Sequence, residues 1–134
     1  MALLVIFGGS FANDSSVRYS SLKIYYIRWD VMTRTGLSPD HVRKNKHIYV
    51  ELDDTFRINK IISAIKEMPC SVMSGRNIRP DVRIVLDFYQ NGELVNSYYG
   101  DRNYLYGPGR VHMCAYNESF YSSMDLFQEV KGSG

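Results

Sequence analysis

The sequence has little cysteine, little net charge and no long apolar run, and each shortage excludes a class of protein. Two cysteines in 134 residues are too few for a disulfide-stabilised scaffold. Sixteen basic and fourteen acidic residues leave a net charge of +2, so no strongly charged partner is implied. The apolar run over residues 3–7 is far shorter than the roughly 20 residues of a membrane-spanning helix. A chain that is 45% hydrophobic and 22% charged is, however, typical of a folded globular protein.

Recognisable catalytic and metal-binding motifs are missing as well. The glycine pair at residues 8–9 matches neither glycine-rich phosphate-binding pattern, and no ligand spacing is typical of structural zinc. Two histidines with a lysine nearby are able to cleave RNA by general acid–base catalysis. His47 and His112, with Lys46 beside the first, therefore define an alternative hypothesis, a small ribonuclease. The main prediction is a protein with no catalytic site, no metal and no cofactor.

The two ends of the chain are interpreted from their composition. Residues 3–7 predict a first β-strand followed by a Gly-Gly turn. The alternative is the remnant of a secretory signal, because Ser10 and Ala12 loosely satisfy the small-x-small cleavage rule. The last four residues, 131–134, are typical of an appended linker, so the sequence predicts one domain over residues 1–130.

The two cysteines bear on the compartment. Cys70 and Cys114 are far apart in the sequence, and we expect two free thiols, as in a cytoplasmic protein. If the protein is exported to the periplasm instead, the same two residues can form one disulfide bond. The cytoplasm is therefore the predicted compartment, and the periplasm is the alternative.

Helices are indicated by their caps and by the spacing of apolar residues. Ser38 and Pro39 are typical of a helix start, because serine caps well and proline suits the first helical position. Residues 53–55 cap a long amphipathic helix on which isoleucines recur at helical spacing. A final helix is expected to bury Phe120, Met124 and Phe127.

Most of the remaining chain has strand character. Strands are predicted over residues 22–29, 47–52, 81–90, 93–99, 103–106 and 110–116. Asn91-Gly92 is typical of a two-residue hairpin turn, which would pair Leu86 with Ser97. Residues 71–80 are predicted to be a loop. The expected fold is α+β, a mainly antiparallel sheet with a C-terminal β-meander, one long amphipathic helix packed on it and short helices.

Tyrosine is the residue in excess, with 11 in the chain. Four of them fall in the nine residues 98–106, on either side of a charged turn. Aromatic residues suit half-buried strands, so sheet filling is one explanation. The other is a recognition surface, since tyrosine and arginine are enriched where proteins bind each other. The candidate partner-binding residues are Tyr98, Tyr99, Asp101, Arg102, Tyr104 and Tyr106.

The basic residues are dispersed, and their densest group is Arg43-Lys44-Asn45-Lys46-His47. A nucleic-acid-binding protein usually carries a larger positive excess and a clear basic stripe. We interpret this group as a solvated loop, and we expect neither a nucleic acid nor a membrane as a partner.

A small α+β domain with a tyrosine-rich meander, no catalytic signature and an amphipathic helix is similar to the immunity proteins of bacterial contact-dependent growth inhibition systems. The resemblance concerns the overall plan, with residues 81–106 as the most similar stretch. Members of that group are compact proteins that neutralise one cognate toxin by binding it. Inhibitors of nuclease toxins are often acidic, whereas this chain carries a net charge of +2. The resemblance implies no site residue.

The leading hypothesis is thus a non-catalytic inhibitor that binds and occludes a cognate protein toxin. The alternatives are the ribonuclease described above and an exported periplasmic binding domain. An exposed edge of the meander would also support a homodimer by strand pairing.

Overall fold

The computed structural model describes residues 18–31, 33, 35–72, 80–107 and 112–124. The predicted first strand at residues 3–7, Phe127 and the linker at residues 131–134 lie outside the described residues. The elements are β1 (Ser21–Tyr26), α1 (Pro39–Asn45), β2 (Ile48–Leu52), α2 (Thr55–Lys66), β3 (Cys70–Val72), β4 (Ile84–Gln90), β5 (Glu93–Gly100), β6 (Tyr104–Tyr106), β7 (His112–Ala115) and α3 (Glu118–Ser123).

The strands form one seven-stranded antiparallel sheet in the order β2-β1-β4-β5-β6-β7-β3. The predicted α+β class and the antiparallel sheet are confirmed. The meander is β4 to β7, whose strands are neighbours in chain order. Sequence patterns did not indicate that β1 lies between β2 and β4, since local composition does not specify long-range partners.

The helices are short. Ser38 caps α1 by accepting a hydrogen bond from the His41 N–H at 3.1 Å, and Pro39 opens the helix, as expected. Asp54 caps α2, which has 12 residues, so the long helix of the prediction is not present. None of the described helices is long and apolar enough to cross a membrane.

The sheet has two faces, which are covered differently. The inner face is packed against α2 and α3, and its core includes Leu22, Leu86, Phe88, Ile61 and Phe120. In the part of the chain that the structure describes, the outer face is covered by α1 and by the chain between β1 and α1, with a smaller core. Because α2 joins the two edge strands β2 and β3, its chain must pass across the inner face.

The hairpin between β4 and β5 has an irregular register. Asn91 and Gly92 both have positive φ, 51° and 87°, as the turn prediction requires. Beyond the turn, however, Phe88 pairs with Asn96 while Tyr89 pairs with Leu94, which leaves one residue of β5 without an opposite neighbour. Leu86 consequently pairs with Tyr98, and the predicted pairing of Leu86 with Ser97 is wrong.

A short strand, β3, extends into the start of the segment 71–80 that was predicted to be a loop. β3 pairs with β7 at the edge of the sheet and places Cys70 directly opposite Cys114. A disulfide bond joins the two sulfur atoms, so the expectation of free thiols is wrong for this structure. All three residues of β3 are exposed, and their composition alone gives no strand signal.

Candidate protein-binding surface

A row of tyrosines crosses the outer face. The strand register places Tyr49 beside Tyr25, Tyr25 beside Val85, Val85 beside Tyr99, and Tyr99 beside Tyr106. Side chains at these positions share a face because residues directly opposite each other in antiparallel strands point the same way. The ring contacts agree, since the centroids lie 5.1 Å apart for Tyr25 and Tyr49 and 6.4 Å apart for Tyr99 and Tyr106.

Helix α1 lies across the middle of this row. Val42 of α1 and Leu37 pack on Val85, and all three side chains are buried. The tyrosine row is therefore divided into two exposed areas. One area lies on β2, β1 and β4, and the other lies on β5, β6 and the turn between them.

An ion pair fixes α1 to the sheet. Arg43 donates from Nε and Nη2 to the two carboxylate oxygens of Asp87, at 2.9 Å each. The Ser97 hydroxyl donates to the same carboxylate at 2.6 Å. The hydrogen bond to Asp87 raises the pKa of the Arg43 guanidinium, which therefore stays charged.

A second arginine fixes the chain that precedes α1. Arg83, only 1% exposed, donates to the Val31 carbonyl at 2.6 Å and to the Asp81 carboxylate at 3.0 Å. The other oxygen of Asp81 accepts the Leu37 N–H at 2.9 Å. The segment between β1 and α1 is thus attached at Val31 and at Leu37 to the residues that precede β4, which gives the outer face a defined shape.

The first exposed area combines tyrosines with cationic side chains. Lys23 Nζ lies 4.6 Å from the Tyr89 ring centroid, within cation–π distance. The Tyr49 hydroxyl donates to Glu51 Oε1 at 3.1 Å. Partial desolvation, this hydrogen bond and the Glu51 charge raise the Tyr49 pKa to about 12. Desolvation and the Asp87 charge also raise the pKa of Tyr25, so both phenols stay neutral at physiological pH.

The second exposed area is built on the turn between β5 and β6. Asp101 Oδ1 accepts the N–H groups of Asn103 and Tyr104, both at 2.8 Å, and Oδ2 accepts the Tyr106 hydroxyl at 3.1 Å. The Tyr116 hydroxyl donates to the Asp101 carbonyl at 2.8 Å. Hydrogen bonds of this kind hold a turn in one conformation. The turn therefore holds its exposed residues in place.

Glycine is required at the start of this turn. A Cβ atom at Gly100 would overlap the Tyr116 hydroxyl and lie 2.9 Å from the Tyr104 carbonyl oxygen. Real Cβ atoms are essentially never this close to other heavy atoms. The close packing of Tyr116 over the turn thus depends on the absent side chain.

The six residues predicted as a binding patch divide between the core, the turn and the surface. Tyr98 lies on the inner face, is 5% exposed and packs edge-on against Phe88, so it is not part of the surface. Burial raises its pKa well above the usual value. Tyr106 is 2% exposed, and the Asp101 carboxylate accepts the hydrogen bonds that hold the turn. The three that reach the surface are Tyr99, which is half-buried, and Arg102 and Tyr104, which are exposed.

The tyrosines of the first exposed area are not among the partner-binding residues predicted from the sequence. Tyr25, Tyr49 and Tyr89 are dispersed along the chain, and only the pairing of β1 with β2 and β4 brings them together. The local sequence signal of a polar outer face is that polar side chains alternate with apolar ones in these strands. Lys23 and Tyr25 show this pattern in β1, and Tyr49 and Glu51 show it in β2.

The two histidines of the ribonuclease hypothesis are not brought together. His47 precedes β2 and His112 is in β7, five strand positions away in the sheet, which corresponds to about 24 Å. His47 Nδ1 accepts the Arg28 N–H at 3.3 Å. Among the described residues, no group of histidine, cysteine and acidic side chains could hold a metal ion.

A groove of about 500 Å³ lies between α2 and α3, on the opposite side of the molecule. Its lining is polar except for Ala64 and Phe56, and Phe56 is 69% exposed. Lys60 Nζ lies 5.6 Å from the Phe56 ring centroid. Phe56 and Lys60 thus present an aromatic ring and a cation, the same kinds of groups that Tyr104 and Arg102 present on the other side of the sheet.

Comparisons of the chain with protein-family models, with curated proteins and with solved structures found no match.

Proposed function

We propose that this chain is a non-catalytic binding protein that inhibits a cognate protein toxin by occluding it, as immunity proteins do. The contact area would be centred on the turn between β5 and β6, with Arg102 and Tyr104 as its principal side chains and Tyr99 beside them. The observation that supports this proposal is the fixed conformation of that turn.

A fixed turn favours binding for an energetic reason. Ordering a flexible loop and its side chains on association costs free energy, which is subtracted from the contacts made. Here Asp101 already accepts two backbone N–H groups and the Tyr106 hydroxyl in the free protein. Arg102 Nη2 also lies 3.4 Å from the Val31 carbonyl oxygen, near the segment that Arg83 holds. The surface thus needs little rearrangement to bind.

The chemistry of the exposed side chains favours a protein as the partner. Tyr104 is 37% exposed and offers a flat ring with a polar end, and Arg102 offers a charged planar group. These two residue types dominate the binding energy of many protein interfaces. An acidic or mixed surface with accessible carbonyl groups would match them.

The experiment is a growth-rescue assay combined with a binding measurement, in which the product of the gene adjacent to that of this protein is the candidate toxin. Wild-type protein should rescue growth and bind the purified toxin in calorimetry. Arg102→Ala combined with Tyr104→Ala should weaken binding by at least about 100-fold, the loss expected for two central interface residues. The matched control is Lys60→Ala combined with Phe56→Ala, which removes the same kinds of groups from the α2 side.

Each outcome has a definite meaning. Loss of binding in the first pair alone supports the proposal. Loss in the control pair alone would move the contact area to the groove between α2 and α3, against the proposal. No binding and no rescue by the wild-type protein would refute the inhibitor function itself.

The disulfide bond favours the exported alternative for the compartment. Stable disulfides form in oxidising compartments and are rare in the cytoplasm. We therefore propose the periplasm, in place of the cytoplasm expected when Cys70 and Cys114 were taken to be free. Alkylation of free thiols in intact cells, followed by mass analysis, tests this directly. Two alkylated cysteines would contradict it.

A further inference from the structure

Strand β2 forms one of the two edges of the sheet, and its outward-facing backbone groups and charges are well defined. Among the described residues β2 pairs only with β1, whereas the meander strands β4 and β7 are covered by β1 and β3. The edge-strand dimer expected from the sequence therefore cannot use the meander itself. An uncovered strand edge offers unpaired backbone groups to any strand that fits it.

The hydrogen-bond directions show which groups of β2 point outwards. Tyr26 accepts from His47 on the β2 side at 2.9 Å, and Ile27 donates to Arg83 on the β4 side at 2.8 Å. Backbone groups alternate along a strand, so the even-numbered residues of β1 bond to β2. Their register partners in β2 are Ile48, Val50 and Leu52. The N–H and carbonyl groups of Tyr49 and Glu51 consequently face the open edge.

Charge is distributed unevenly along this edge. Lys46 and His47 directly precede the strand, whereas Glu51, Asp53 and Asp54 lie at its end, and all five are exposed. A second strand running antiparallel to β2 would therefore meet opposite charge at both ends if it had the same sequence. The edge is electrostatically complementary to itself.

We propose that two copies of this chain pair through β2 about a twofold axis at Val50, forming one continuous antiparallel sheet. In this register Tyr49 lies opposite the partner's Glu51, and the two residues are a hydrogen-bonded pair. Ile48 lies opposite the partner's Leu52. Lys46 lies opposite the partner's Asp54, beyond the end of the strand. The dimer rests on the edge and its charges and is independent of the proposed toxin contact.

Neighbouring registers are less favourable. An axis at Glu51 would place that carboxylate directly opposite its symmetry copy, and like charges in this position are destabilising. An axis at Tyr49 would oppose only residues 48–50 of the two strands, because Glu51 and Leu52 would lie opposite His47 and Lys46, which precede the strand. Of these three registers, the axis at Val50 is the one that opposes all five residues of β2 to each other and places no like charges opposite one another.

The first experiment measures the register by cross-linking. In this dimer the two copies of Val50 form a non-hydrogen-bonded pair with Cα atoms about 4.5 Å apart, which suits a disulfide bond. Val50→Cys should therefore yield a covalent dimer under mild oxidation. Glu51→Cys is the control, since its two copies would be about 9 Å apart, too far for a bond. Cross-linking of Glu51→Cys but not of Val50→Cys would overturn the register.

The second experiment measures association without cross-linking, by sedimentation of the full chain up to about 0.5 mM, because a dimer depends on protomer concentration. Glu51→Pro removes an outward N–H and should abolish the dimer, whereas Glu51→Ala keeps that N–H and should retain it. Lys46→Glu should weaken the dimer at least about tenfold at low salt, whereas Lys44→Glu, which lies on α1, should not.

A dimer that responds in this way supports the proposal. A chain that stays monomeric throughout, or a dimer that tolerates Glu51→Pro, would overturn it and leave the β2 edge to some other strand. A circular dichroism spectrum like that of the wild-type protein must accompany each variant, so that loss of the dimer is separated from unfolding.

Discussion

Replacing Arg43 with methionine should destabilise the protein substantially, because the change leaves a buried carboxylate without its cation. Methionine keeps most of the length of the arginine stem, so the packing of α1 is largely retained. What is lost is the pair of hydrogen bonds to Asp87, both 2.9 Å long. The Ser97 hydroxyl, at 2.6 Å, remains as a donor to that carboxylate.

The size of the effect follows from burial. The Asp87 side chain is 3% exposed and that of Arg43 is 27% exposed. Removing one partner of a fully buried pair costs about 3–5 kcal/mol. Water can reach the Arg43 side of this pair, so the lower end applies, about 3 kcal/mol. The contact of Arg43 with Asp40 adds little, since Asp40 is 82% exposed. A loss of this size lowers Tm by about 10 °C for a domain of this length.

The assay is urea denaturation of four proteins: the wild type, Arg43→Met, Asp87→Leu and the double variant. Leaving a charge unpaired costs more than removing both charges together. The double variant should therefore be more stable than Arg43→Met alone. Lys44→Met, an exposed neighbour on α1, is the matched control and should change stability by less than about 0.5 kcal/mol. A loss below about 1 kcal/mol for Arg43→Met, or additive single effects, would refute the reasoning.

Three further predictions concern the disulfide, the turn and a phenol. Replacing Cys70 and Cys114 with serine should cost about 4 kcal/mol in urea denaturation, because the bond closes a loop with a sequence separation of 44; unchanged stability would contradict this. Gly100→Ala should cost about 2 kcal/mol through overpacking, whereas Gly36→Ala, whose Cβ would meet ordinary contacts, should be nearly neutral in the same assay. Comparing phenolate titrations of the wild type and Tyr49→Phe should reveal a group with a pKa of about 12. Since that value is raised from 10.0, Tyr49 stabilises the fold below pH 10, and this contribution disappears as the pH rises through 12. A difference curve centred at 10 would contradict it.

Local signals in the sequence were sufficient where the physics is local. The Ser38 cap, Pro39 at the helix start and the positive φ angles of Asn91 and Gly92 each depend on a few neighbouring residues. The order of strands in the meander followed from its short connections. The cap, the proline and the turn were predicted correctly because serine, proline, asparagine and glycine strongly favour these particular backbone positions.

Tyr98, one residue of the predicted binding patch, lies in the core because of a single extra residue in β5. With a regular two-residue hairpin, Leu86 would face Ser97. The irregularity in β5 moves the partner to Tyr98, so that Tyr98 joins Leu86 in the core and Tyr99 turns to the outer face. No local pattern in the sequence marks this insertion. Pairing across many residues, as between Cys70 and Cys114, is equally invisible to local composition.

The tyrosines therefore have several structural roles, and a single binding surface does not account for their number. Tyr98 and Tyr26 fill the inner core, and Tyr106 closes the turn through its hydroxyl group. Tyr49 and Tyr104, the two that rank among the exposed large hydrophobic residues, lie on opposite sides of α1. If binding energy is concentrated in a few central residues, the two areas should act separately, one towards a partner at the turn and one beside the β2 edge. Combining Tyr104→Ala with Glu51→Pro should then remove toxin binding and dimerisation independently, each by the amount seen in the single variant.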